Sequence, residues 1–187
     1  MSYISELVAT TIEDRELAFS SSDSRKIEVL YSCPTTIPFL WISLFQETDY
    51  YLGGTELIPF CKISDGIQNL NNAAKYLESL FVSNSGLNYI IGDFITSLEQ
   101  HRNKWIYLFD GTQHLPKYRH SVLPELSSKI TNRYIDTNTE LCEFSQIECS
   151  RPFYTYDYLA AQIDSNKELY YSERDNSIRL LGFPGSM

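Results

Sequence analysis

Ile67, Leu70, Ala74, Leu77 and Phe81 recur at alternating spacings of three and four residues, the stripe of an amphipathic helix. Ser64-Asp65 supplies cap residues before it, and Asn84-Ser85-Gly86 an ordinary stop after it. Leu87, Ile91, Phe94, Ile95 and Leu98 then form the apolar face of a second helix over 87–102. So short a connection predicts an antiparallel helical hairpin. Each helix carries one apolar face and needs a second layer to bury it. Residues 104–110 (Lys-Trp-Ile-Tyr-Leu-Phe-Asp) follow at once and read as a buried strand. These features predict an α+β fold, with the helical hairpin packed on a mostly antiparallel sheet. The sheet is expected to include 26–32, 104–110 and a C-terminal hairpin, and residues 1–187 to form a single domain.

Residues 26–32 (Lys-Ile-Glu-Val-Leu-Tyr-Ser) alternate and read as a strand. Residues 3–19 fit a short helix or a strand-turn-helix. Residues 35–38 (Thr-Thr-Ile-Pro) precede an apolar run, and Pro in a first turn favours a buried helix over 37–47. Gly53-Gly54 marks a loop, and 57–63 an extended piece containing Pro59. The segment 123–133 fits a short helix. In the C-terminal hairpin, Leu169-Tyr170-Tyr171 and 178–181 are the arms and Arg174-Asp175-Asn176 the turn.

Hydrophobic residues make up 43% of the 187 and charged residues 21%, so the chain can bury a core and lacks the composition of a disordered protein. Fifteen basic residues stand against twenty-four acidic ones, a net charge of −9. That balance argues against nucleic acid, which needs a basic face to displace counterions, and against an anionic membrane surface. It suits a basic protein partner. Residues 1–60 carry net −6, 61–133 net +2 and 134–187 net −5. The longest apolar run, 37–45, is nine residues, against the ~20 a membrane-spanning helix needs. The N-terminus does not read as a secretory signal, so a cytoplasmic location is expected. Cys33, Cys61, Cys142 and Cys149 match no zinc or redox spacing, and free thiols are expected.

Residues for catalysis are sparse. His101, His114 and His120 lack helical metal-ligand spacing, and His114 and His120 read as part of a solvated basic loop. No nucleophile elbow surrounds any Ser or Cys. The carboxylate pairs Glu13-Asp14, Glu47/Asp49, Glu140/Glu143 and Glu173/Asp175 read as solvated faces, because general acid–base work requires a pocket that holds the two pKa values apart. Gly53-Gly54 lacks the phosphate-cradling patterns. No catalytic residue, metal or cofactor is expected.

Aromatics are the richer signal, with fourteen Tyr and ten Phe. They cluster at Tyr50-Tyr51, at 153–158 (Phe-Tyr-Thr-Tyr-Asp-Tyr) and at Tyr170-Tyr171. Tyrosine offers wide contact at low rotamer cost, with a polar tip that tolerates water. Tyr154, Tyr156, Asp157 and Tyr158 are the expected partner contacts, with Glu140, Glu143 and Glu148 as acidic support.

Residues 37–45 (Ile-Pro-Phe-Leu-Trp-Ile-Ser-Leu-Phe), an amphipathic helix, and then 94–110 (Phe-Ile-Thr-Ser-Leu-Glu-Gln-His-Arg-Asn-Lys-Trp-Ile-Tyr-Leu-Phe-Asp) form a layout over roughly 27–112. It resembles small acidic bacterial immunity proteins of secreted antibacterial toxin systems. The resemblance implies a non-enzymatic, cytoplasmic protein that binds a cognate toxin, often a basic one, and occludes its active site. It brings no catalytic residues. Two other classes remain open: a small hydrolase or transferase that reverses a toxin's modification, and an adaptor or structural protein of a phage or secretion system.

Overall fold

The computed structural model describes residues 4–34, 37–53, 56–80, 85–110, 124, 127–128 and 183–184. Their core is a fully antiparallel sheet, joined by helices in an α+β arrangement. In chain order come β1 (Ile4–Thr10), α1 (Arg15–Ser20), β2 (Ile27–Pro34), α2 (Phe39–Ile42), a 3-10 turn at Glu47–Asp49, β3 (Tyr50–Gly53), β4 (Glu56–Lys62), α3 (Ile63–Leu80), α4 (Ser85–Glu99), β5 (Trp105–Asp110) and the two-residue β6 (Phe183–Pro184). The strand order is β3-β4-β5-β1-β2-β6. Both α3 and α4 lie in the connection between neighbouring strands β4 and β5.

β1 is central. It pairs with β2 from Ile4↔Pro34 to Thr10↔Ile27 and with β5 from Ser5↔Asp110 to Thr10↔Trp105. Between Leu7 and Val8 the partner on β2 jumps from Tyr31 to Val29, so Leu30 is the extra residue of a bulge. The jump breaks the two-residue alternation and puts Leu30 and Tyr31, consecutive in sequence, into the same buried cluster.

Alternation along the other strands sorts side chains onto two faces. Leu7 and Ala9 of β1, Ile106 and Leu108 of β5, and Cys61 of β4 join Ile67, Leu70, Ala73 and Ala74 of α3 and Ile91, Phe94 and Leu98 of α4. Trp41, Leu40 and Phe45 complete this main core, with Trp41 and Phe45 at 0% exposure. Burying side chains of this size stabilises the fold by about 1.5–3 kcal/mol each. On the opposite face Val8, Ile58, Phe60 and Tyr107 gather around Ala18 of α1.

The strands expected at 26–32 and 104–110 form as β2 and β5, and 57–63 forms as β4. The opening segment resolves as strand-turn-helix. The helix expected over 37–47 is only one turn, Phe39–Ile42. Bonds from Leu44 N to Trp41 O and from Phe45 N to Ile42 O continue it as tighter turns. Tertiary donors compete for its carbonyls: Asn69 Nδ2 donates to Leu44 O at 3.0 Å and Ser127 Oγ to Ile42 O at 3.3 Å. α3 starts one residue before the expected Ser64-Asp65 cap. β4 runs straight into it, because Ile63 N–H is satisfied by Lys104 O. α4 ends at Glu99, short of the expected 102. Gly53 belongs to β3, opposite Glu56, rather than to a loop. Of the expected C-terminal hairpin, the arms and turn lie outside the described residues, and Phe183–Pro184 pairs with Tyr31 and Ser32 of β2.

Candidate functional site

The sequence-predicted contacts Tyr154, Tyr156, Asp157, Tyr158, Glu140, Glu143 and Glu148 all lie outside the described residues, as do His114, His120, Cys142 and Cys149. Among the described residues, the feature that best combines shape, aromatic surface and charge is the corner where α1 meets the edge strand β3.

α1 is positioned by its start. Asp14 accepts from Leu17 N at 2.9 Å and caps the helix. Ala18 is then fully buried against the sheet, while Leu17 is 62% exposed. Phe19 meets Tyr107 edge-on and Phe109 at a tilt, with its ring centroid 6.0 Å from each. From the other side, Tyr51 Oη donates to Arg15 O at 3.1 Å, tying β3 to α1. The Arg15 guanidinium lies 5.6 Å from the Tyr51 ring centroid.

Between them opens a cleft of about 480 Å³, lined by Glu16, Phe19, Ser20, Tyr51 and Gly53. Burial raises the Tyr51 phenol above its ordinary pKa; Arg15 opposes this, and Glu16 and Asp14 add to it. Asp49, at the foot of β3, is likewise raised, first by burial, with Asp65 adding to the effect and Arg15 opposing it. Carboxylates beside aromatic faces make a surface that holds cations, through ion pairing and attraction to the ring quadrupole. The placement of Arg15 over Tyr51 is an intramolecular instance of that contact.

Two of the carboxylate pairs singled out above have local duties. Asp14 is the helix cap. Asp49 Oδ2 accepts from Gln46 N at 2.7 Å and closes the turn before β3. The Tyr50-Tyr51 pair splits across the sheet. Tyr50 packs against Phe45 of the main core, with ring centroids 6.4 Å apart, while Tyr51 faces the cleft. Glu16 and Phe19 were not legible as site residues, because only the docking of α1 brings them beside Tyr51.

A second polar cluster joins β2 to the turn before β5. Glu28 Oε2 accepts from Lys104 Nζ at 2.6 Å and lies 3.4 Å from His101 Nδ1. The Lys104 hydrogen bond holds the Glu28 carboxyl below the usual range. Lys104 Nζ is also 3.2 Å from His101 Nδ1. The side chains of Glu28 and Lys104 are 49% and 31% exposed, so the pair stabilises by about 0.2–1 kcal/mol.

Cys33 and Cys61 are buried thiols, as expected for small apolar side chains at strand positions. Burial pushes the Cys61 thiol well above its ordinary pKa. Among the described residues no group of three or more metal-ligating side chains gathers, and no helix is long and apolar enough to cross a membrane. No known protein family, curated protein or solved structure matches this chain.

Proposed function

We propose that this chain is a non-enzymatic immunity protein that binds a cognate antibacterial toxin in the cytoplasm and occludes its active site. The observation that carries this reading is the α1–β3 corner. Glu16 lines an aromatic cleft with Phe19 and Tyr51 at the edge strand of the sheet, and Asp14 acts with Glu16 on the Tyr51 phenol. The chain as a whole carries the same sign, net −9, with the acidic excess in residues 1–60 and 134–187. An acidic surface of this kind speeds encounter with a basic partner and biases its orientation. In this proposal α3 and α4 form an antiparallel hairpin that braces a single-domain scaffold. Tyr154, Tyr156, Asp157 and Tyr158, with Glu140, Glu143 and Glu148, widen the contact surface.

Affinity capture of the tagged protein from its native host, read by mass spectrometry and followed by a titration, tests the proposal. A toxin domain recovered at equal molar amount, with protection requiring about one copy per toxin, is the expected result. Protection far below equal molar amounts would overturn occlusion and favour an enzyme that reverses the toxin's modification. A stable complex with a non-toxic phage or secretion component would favour an adaptor.

A further inference from the structure

β3 is the last strand at its end of the sheet order, and no described residue pairs with its outer edge. The direction of its backbone groups follows from Pro59. Opposed residues in an antiparallel pair alternate between those that exchange two hydrogen bonds and those that exchange none. Tyr50 faces Pro59, which has no N–H to exchange. Tyr51↔Ile58 and Gly53↔Glu56 are therefore the bonded pairs, and Leu52↔Leu57 is not. The backbone of Tyr50 and Leu52 consequently points away from β4. Tyr50 N–H is occupied by Glu47 O. Tyr50 C=O and both polar groups of Leu52 form the outward row, and the Leu52 side chain is 62% exposed beside them.

Edge strands are usually guarded by a charge, a proline or a bulge. Tyr50, Tyr51, Leu52 and Gly53 include none of these. Charge is concentrated around the edge instead, and it has one dominant sign. Asp14 and Glu16 act on Tyr51, Asp65 acts on Asp49, and Glu47 opens the turn into the strand. Arg15 is the base that opposes them at both Tyr51 and Asp49.

We infer that the outer edge of β3 receives an extended, lysine- or arginine-rich segment of a protein partner as an added strand. The backbone of Leu52 supplies the hydrogen bonds, and the acidic surround selects the charge. Strand addition draws affinity from main-chain bonds and specificity from alternate side chains, so one face of the segment can present cations to the Glu16–Tyr51 cleft. The inference rests on the partner-binding reading above only in taking a protein as the occupant.

The test uses the full chain and two ten-residue peptide probes, one of alternating Lys and Val and one of alternating Glu and Val. Binding is read by titration and by hydrogen exchange at the Leu52 amide. The expected result is saturable binding of the Lys-Val peptide, with exchange at Leu52 slowed at least tenfold and no binding of the Glu-Val peptide. Leu52→Pro removes the outward donor without taking a bond from the β4 ladder. It is expected to keep the unfolding midpoint and weaken peptide binding at least tenfold. Leu52→Lys keeps the donor but adds a guarding charge, and weakens Lys-Val binding even if the proline variant does not fold. Equal binding of both peptides overturns the charge argument. A Leu52 amide already protected in the free protein means that the chain covers its own edge. A concentration-dependent dimer abolished by Leu52→Pro means that a second copy occupies it. Either result overturns the inference. A toxin captured equally by wild type and Leu52→Pro would preserve the immunity reading and overturn this one; peptide binding without any captured toxin would do the reverse.

Discussion

The phenol of Tyr50 lies 2.7 Å from the hydroxyl of Ser127, although 77 residues separate them in sequence. Ser127 is itself fully buried, and its single proton is committed to Ile42 O at 3.3 Å. Tyr50 is therefore the donor and Ser127 the acceptor. Burial drives the Tyr50 phenol far above its ordinary pKa, the Ser127 hydrogen bond opposes that shift, and Asp49 and Cys61 add to it. One serine thus ties the foot of β3 to the end of α2.

This chain of donors makes the two truncations unequal. Tyr50→Phe removes one hydrogen bond and leaves Ser127 still bonded to Ile42, at an expected cost of about 1 kcal/mol. Ser127→Ala leaves the buried phenol without its acceptor and removes one of the two donors to the Ile42 carbonyl, so about 2 kcal/mol is expected. Urea unfolding of both single variants and the double variant measures the difference. A double variant no worse than Ser127→Ala would show the coupling, and equal single costs would refute the donor assignment.

Glu6 and Glu28 should respond to pH with opposite signs. Glu6 sits on β1 opposite Ser32 and Phe109, and burial raises its carboxyl above the ordinary value. A raised carboxyl disfavours the charged folded state, so Glu6→Gln should raise the melting temperature at neutral pH. That gain should vanish on acidification, as the wild type protonates itself. Glu28 is depressed, chiefly by Lys104. Its contribution is present above the unfolded carboxylate range and lost as pH falls through the folded pKa. Glu28→Gln should therefore destabilise at neutral pH and become neutral in acid. Thermal unfolding of both variants from about pH 7 to about pH 3 decides the matter. A loss of stability in Glu6→Gln at neutral pH would contradict the burial argument.

Gly66 lies in the first turns of α3, where an added Cβ would stand 3.4 Å from Leu44 O and 3.5 Å from Cys61 Sγ. Those are ordinary contact distances, so the helix propensity of alanine should prevail over crowding. Gly66→Ala is expected to stabilise by about 0.5 kcal/mol. Gly66→Leu has no room beyond the Cβ and is expected to destabilise by about 1–3 kcal/mol. Denaturant midpoints of the two variants, moving in opposite directions, would confirm the close approach.

Cys33 and Cys61 are 3% and 5% exposed. A protein carrying Cys142→Ser and Cys149→Ser retains just these two thiols. It should react with an aromatic disulfide reagent only as fast as it unfolds, and at the full thiol rate in denaturant. Rapid reaction under native conditions would show that the core around β2 and β4 opens locally.

Much of the architecture could be read directly from residue spacing. The stripes at Ile67, Leu70 and Ala74 and at Ile91, Phe94 and Leu98 identified two helices, and alternation identified β2 and β5, because one-sided burial imposes a period on any regular element. Composition set the acidic character. Tertiary structure decided what no period encodes. β3 escaped notice because a four-residue strand is too short to display alternation and ends in a glycine. The helix over 37–47 is only one turn, and Asn69 and Ser127, distant in sequence, donate to its Leu44 and Ile42 carbonyls. Glu16, Phe19 and Tyr51 became neighbours only when α1 folded back across the sheet. Local pattern reports which side of an element is buried. The meeting of two elements depends on register and long-range hydrogen bonds, and those exist only in the folded chain.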